Sequence, residues 1–184
     1  LRAVLPGRAA KEVLHHPGHA WARGSSDDIL TIGADEITGK LLGAIDCLEL
    51  PPAGAQLWQG RAAWKLSRES RSIEQLSPLS GEVVEVNHEA VKHPEIVNRS
   101  PYRRGWLLKV RPTNLADDLS NLFAGNLADA WLALSRSRIN AALSTQDSSL
   151  LATAQDGGEL VEGLGDLMTE AQWKEISVQL FEGV

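Results

Sequence analysis

Cysteine occurs once, at Cys47, in a chain of 184 residues. An internal disulfide and a cysteine-rich metal site are therefore excluded. Cys47 lies in the alternating run "AIDCLEL", where it is expected to be a buried, inert thiol. A single free thiol fits a reducing, cytoplasmic setting. No run of about eighteen apolar residues exists, so direct membrane insertion of a helix is not expected. Positive charge is not in excess either: the formal net charge is −6. With no recognition motif beside its basic residues, the chain is not expected to bind nucleic acid. A Gly-x-Ser-x-Gly elbow, a Walker loop and a Gly-x-Gly-x-x-Gly turn are all missing. The usual serine-hydrolase and nucleotide-binding readings go with them.

What is present fits one ordinary domain plus an extension. The apolar fraction of 43% is that of a globular protein. Charge is unevenly placed. Residues 154–184 hold seven acids (Asp156, Glu159, Glu162, Asp166, Glu170, Glu175 and Glu182) against Lys174 alone. Basic side chains gather elsewhere, at Arg61, Lys65, Arg68 and Arg71, and again from Arg99 to Arg111.

Residues 1–14 carry no clear period and read as a lead-in. From there to Pro112 the chain is a series of short β-type runs: "DDILTIGAD", "AIDCLEL", "AAWKLS", "SIEQLSP", "GEVVEVN" and "RGWLLKVRP". Turn signals bound each of them, as in a small sandwich or barrel-like domain. "ADEITGKLLGAI" reads as a brief helical turn, and Pro94 keeps "HEAVKHPEIVN" short. After Pro112 the period becomes helical. "NLADAWLALSRSRINAALS" places Leu127, Ala130, Trp131 and Leu134 on one face. "STQDSS" reads as a linker. "TEAQWKEISVQLF" opens with a capping-box pattern, Thr169 with Gln172, and carries Trp173, Ile176 and Leu180 as its apolar stripe.

"LSPLSGEVVEVN", "HPEIVNRSPYRRGWLLKVRP", "HAWA" and "LGAIDCLELPPAGAQLWQG" follow one another in an order that resembles the glycine cleavage H proteins, members of the lipoyl/biotinyl carrier group. The resemblance covers about residues 15–112, leaving 1–14 as lead-in and 113–184 as a helical C-terminal extension. It implies an α+β, mainly β fold: a barrel-sandwich hybrid with a projecting hairpin. In that family the hairpin tip bears a lysine amide-linked to lipoic acid. A tethered group of this kind replaces free diffusion by a high local concentration.

Counting back without gaps from Ser77, the lysine position of the family falls on Ser70, and its preceding glutamate on Ser67. Ser70 has no amine, and the guanidinium groups of Arg68 and Arg71 stay protonated and are not acylated. Lys65 is the fallback acceptor; it lies in the alternating strand, where a solvent-facing structural role is the plainer reading. Lys92 and Lys109 fall away from the hairpin.

The leading expectation from these residues is a non-lipoylated module, not an enzyme and without cofactor, acting as a structural subunit of a larger redox or metabolic complex. Arg68, Glu69, Ser70, Arg71 and Trp173 would then contact its protein partners. The alternative is the H protein of a glycine cleavage system, a lipoyl carrier shuttling an aminomethyl group. A third reading, an enzyme built on His15, His16 and His19, ranks last. That spacing suits metal ligands only on a helix, and Pro17-Gly18 opposes one.

Overall fold

A computed structural model describes residues 12–26, 28–144, 155–156 and 159–182. Strands β1 (Leu14–His15), β2 (Ala20–Ser26) and β3 (Ile29–Ala34) are followed by helix α1 (Glu36–Leu42). Next come β4 (Cys47–Glu49), β5 (Gln56–Leu57), β6 (Ala62–Arg68), β7 (Arg71–Leu76) and β8 (Gly81–Val86). Two short helices, α2 (His88–Lys92) and α3 (Glu95–Arg99), lead to β9 (Leu108–Pro112). Beyond it lie α4 (Leu115–Ser120), α5 (Gly125–Ser144), the short strands β10 (Gln155–Asp156) and β11 (Glu159–Leu160), a 3-10 turn (Leu164–Leu167) and α6 (Glu170–Phe181).

The fold is mainly β, as the residues predict. One antiparallel sheet has the order β1-β2-β3-β9-β8-β5, and a second has β4-β6-β7. They do not close into a barrel: the larger sheet ends in β1 on one side and β5 on the other. Alternation sets the register. Trp64 and Leu66 of β6, with Ile73 of β7, point into the same core as Leu30, Ile32, Val83 and Val110 of the larger sheet. Helix α1 starts where Asp35 accepts from the Ile37 N–H at 2.9 Å, and stops at Gly43, whose φ of 83° a side chain would resist. Pro94 separates α2 from α3, as expected.

Buried polar groups tie these layers together. Gln75 is fully buried on β7; it accepts from the Trp64 indole at 2.8 Å and donates to the His19 carbonyl at 2.6 Å and to Thr38 Oγ1 at 2.9 Å. The hairpin β6–β7 is thereby anchored at its base to both the turn before β2 and α1, since a buried amide left unpaired would cost about 1–3 kcal/mol. Asn87 does the same beside β8, capping α2 and donating to the Arg104 and Trp106 carbonyls.

The extension shares this core. Leu164, Trp173, Ile176, Leu180 and Phe181 belong to one continuous cluster with Leu41, Leu66 and Ile73. The expected stripe of α6 is thus its buried face, and Thr169 with Gln172 forms the capping box. The linker "STQDSS" lies outside the described residues beyond Ser144.

Two expectations are corrected, and one strand is added. Cys47 is exposed, because β4 is an edge strand that turns Leu48 inward and its two neighbours outward. On α5, Leu127 and Leu134 are 60% and 49% exposed, whereas Ala128, Ser135, Ile139 and Leu143 are buried. The true stripe lies one position further on, about 100° around the helix. Finally, "AWARGSS" is a strand, β2, that its small residues concealed.

Candidate functional site

Strands β6 and β7 form the projecting hairpin, paired from Ala62↔Leu76 to Arg68↔Arg71. A two-residue turn of Glu69 and Ser70 closes it, and both residues are exposed. Glu69 takes a φ of 53°, a conformation that favours glycine. Its N–H donates to Asp46 Oδ2 at 2.8 Å, which holds the turn against the loop before β4.

Ser70 therefore sits at the apex, as the count from Ser77 predicts, and presents a hydroxyl. Lys65 is the one lysine between Arg61 and Ser77. It points away from the core, since its neighbours Trp64 and Leu66 point in. Its Nζ lies 3.4 Å from Glu49 Oε1, with 44% of the side chain exposed. Glu74 is its register partner on β7. Lys65 thus offers a solvent-reachable amine on the hairpin's outer face, a few residues below the apex. A lipoyl group needs a primary amine; Lys65 has one and Ser70 does not. Lys109 pairs with Glu85 at 2.7 Å, over the Trp106 ring and away from the hairpin.

The two arginines flanking the turn face the extension. Arg68 Nη1 donates to Asp166 Oδ2 at 2.7 Å and to the Leu42 carbonyl at 3.3 Å. Arg71 donates to the Met168 carbonyl at 3.1 Å, lies 3.7 Å from Glu170, and stacks 4.8 Å above the Trp173 ring. Trp173, expected as a contact residue, is buried in this stack. Asp46, Asp166 and Glu170 carry no local signal in the sequence, because their hairpin partners stand far away along the chain.

The histidines form a buried cluster where β1 turns into β2. His19 Nδ1 lies 2.8 Å from Asp35 Oδ2 and His15 Nδ1 lies 3.6 Å from it. Trp131 stacks on His19 at 4.2 Å, and Phe181 meets it edge-on at 5.5 Å. Burial alone would raise the Asp35 carboxyl, yet the facing His19 and His15 together hold it below its ordinary value. Burial, with the nearby His19, lowers His16 to about 4. It stays neutral near neutrality, as its Nδ1 must to accept the Gly18 N–H at 3.0 Å. These rings are packed into the core, with His15, His16 and His19 all buried.

Comparison with known proteins gives a consistent set of relatives. The family described as glycine cleavage H-protein matches residues 13–134. The glycine cleavage system H protein of Ralstonia nicotianae is 36% identical over 115 residues, which is 62% of this chain and 89% of that protein. The one from Streptomyces coelicolor is 36% identical over 101 residues, 55% of this chain and 81% of that protein. The crystal structure of a glycine cleavage system H protein from Mycobacterium marinum superposes with a TM-score of 0.58 at 23% identity, covering 71% of this chain and 98% of that one; this likeness speaks for the fold.

The expectation of a non-lipoylated structural subunit of another complex is corrected by these relatives. It rested on a single apical position reached by a gap-free count. The similarity in sequence runs through most of the length of proteins named for glycine cleavage, and it favours the carrier reading.

Proposed function

Because the chain belongs to the glycine cleavage H-protein family, we propose that it works as the H protein of a glycine cleavage system, with Lys65 as the residue that bears its lipoyl group. The observation that carries this reading is the family match across residues 13–134, joined to an outward-facing lysine on the projecting hairpin. In this role the chain is a carrier and not itself an enzyme, and its partners are the other glycine cleavage components, in the cytoplasm.

When bound, a lipoyl group supplies a long flexible tether able to carry an aminomethyl group. This chain's own residues supply the mounting. Gln75 and Trp64 fix the base of the hairpin, so that the attachment point keeps a set distance from the core. Glu49 and Glu74 flank the amine. Acylation removes the charge on Lys65 and with it the pairing to Glu49, an exposed contact of small worth. The arm is thus freed without loss to the fold.

The test is direct. Incubated with a lipoate ligase, lipoate and ATP, the chain is expected to gain the mass of one lipoyl group, and Lys65→Arg to gain none. No adduct on the unaltered chain, or one that persists in Lys65→Arg, contradicts the assignment of Lys65.

A further inference from the structure

We propose that α5 pairs antiparallel with α5 of a second copy of the chain, Leu134 meeting Leu134 on a two-fold axis and Leu127 of each copy entering the groove between α5 and α6 of the other. Three observations carry it. The first is an apolar row left open. Leu127 and Leu134 are 60% and 49% exposed, and Ala130 and Ala141 beside them are exposed as well. The opposite side of the helix, with Ala128, Ile139 and Leu143, already holds α5 on the domain. The outer row therefore takes no part in docking the helix. Positions 127, 134 and 141 recur at seven residues, so they drift only about 20° per step and stay in line.

The second is a hole that suits the knob. Arg138, Ala141 and Ala142 of α5, with Gln172, Ile176 and Gln179 of α6, line an open groove of about 260 Å³. Gln172 donates to the Ala142 carbonyl at 2.6 Å and keeps its two walls together. Arg138, Ala141 and Ala142 have the i, i+3, i+4 spacing that surrounds an incoming side chain in knobs-into-holes packing. The third is where knob and hole stand. Leu134 lies midway between Leu127 and Ala141 along the helix. Reversing the helix about Leu134 exchanges those two positions, so the large side chain of one copy falls on the small one of the other. A two-fold contact requires such a self-complementary patch, and this selects a second copy as the occupant. Parallel pairing would instead set leucine on leucine at one end and leave a gap between alanines at the other. Antiparallel pairing also brings opposite ends of the helix dipoles together. One helix pair covers less than the roughly 800 Å² per partner of a standard interface, so the dimer is weak and reversible.

Sedimentation equilibrium of the full chain over a wide concentration range is the test. The parent is expected to pass from monomer to dimer mass as concentration rises. Leu134→Glu and Leu134→Lys are each expected to weaken association at least about tenfold, because two like charges then meet on the axis. Leu134 is half exposed, so both variants are expected to keep the parent's circular dichroism. Mixed in equal amounts, the two variants are expected to associate again, since opposite charges now face each other. Loss in each variant with recovery in the mixture supports the two-fold pairing at Leu134. A parent that stays monomeric throughout, including one that captures a different protein on this face, overturns it. A dimer that either variant leaves intact, or a mixture that stays monomeric, overturns it equally. No measurement here involves an acyl group, so dimerisation and lipoyl carriage are tested separately.

Discussion

Asp35→Ala is expected to destabilise the protein by about 3–5 kcal/mol, the range for removing one partner from a buried pair. Asp35, 1% exposed, has two tasks. Its Oδ1 accepts from the Ile37 N–H and starts α1, and its Oδ2 faces His19 at 2.8 Å. Truncation leaves the His19 ring buried without its acceptor and the first turn of α1 without its cap. Asp35→Asn keeps the shape and a capping oxygen, and is expected to cost less. The pH dependence separates the two effects. The folded carboxyl titrates below its ordinary value of 3.8, so its contribution is fully present above that value and is lost as pH falls through the lower folded value. Urea unfolding followed from neutrality into acid is therefore expected to show a shallower acid limb in both variants than in the parent. An Asp35→Ala midpoint equal to the parent's would contradict the buried-pair account.

Phe181→Ala is expected to cost about 3–5 kcal/mol, as large-to-small changes of buried aromatics do. Phe181 is 2% exposed, sits edge-on to His19, and closes the last turn of α6 over the core. The substitution removes one of the contacts through which the extension and the histidine cluster meet, Trp131 supplying another. Val178 on the same helix is 43% exposed, and Val178→Ala is expected to shift stability by less than about 0.5 kcal/mol. Thermal or chemical unfolding of the pair reads the difference. Equal, small losses would mean that the extension merely rests against the domain.

The hairpin and most strands were legible because one buried face imposes alternation: Trp64, Leu66, Ile73 and Gln75 point inward in turn. The α6 stripe was legible for the equivalent helical reason, and its capping box marked its start. On α5 the period was legible but its phase was not. Leu127, Ala130, Trp131 and Leu134 look like a core face, yet of these only Trp131 turns inward, toward His19, a neighbour that only the folded chain supplies. Cys47 failed similarly, since alternation cannot say which side of an edge strand meets the core. The contacts of the two hairpin arginines left no trace in the sequence: Asp166 finds Arg68, and Met168 finds Arg71, across nearly a hundred residues with no shared pattern.

The site itself was half legible. Ser70 stands at the apex where counting puts it, and Lys65 faces outward as alternation demands. The one apical position weighs less than the scaffold around it. A missing amine decides where an arm can hang; it does not decide what the remaining hundred-odd residues are built to serve.

The decisive measurement is reconstitution. Chain treated with lipoate ligase is added to the remaining components of a glycine cleavage system, and release of carbon dioxide from glycine is followed. The carrier account predicts release that scales with the added chain and vanishes with Lys65→Arg. A chain that takes up lipoate at Lys65 and still supports no release would contradict it.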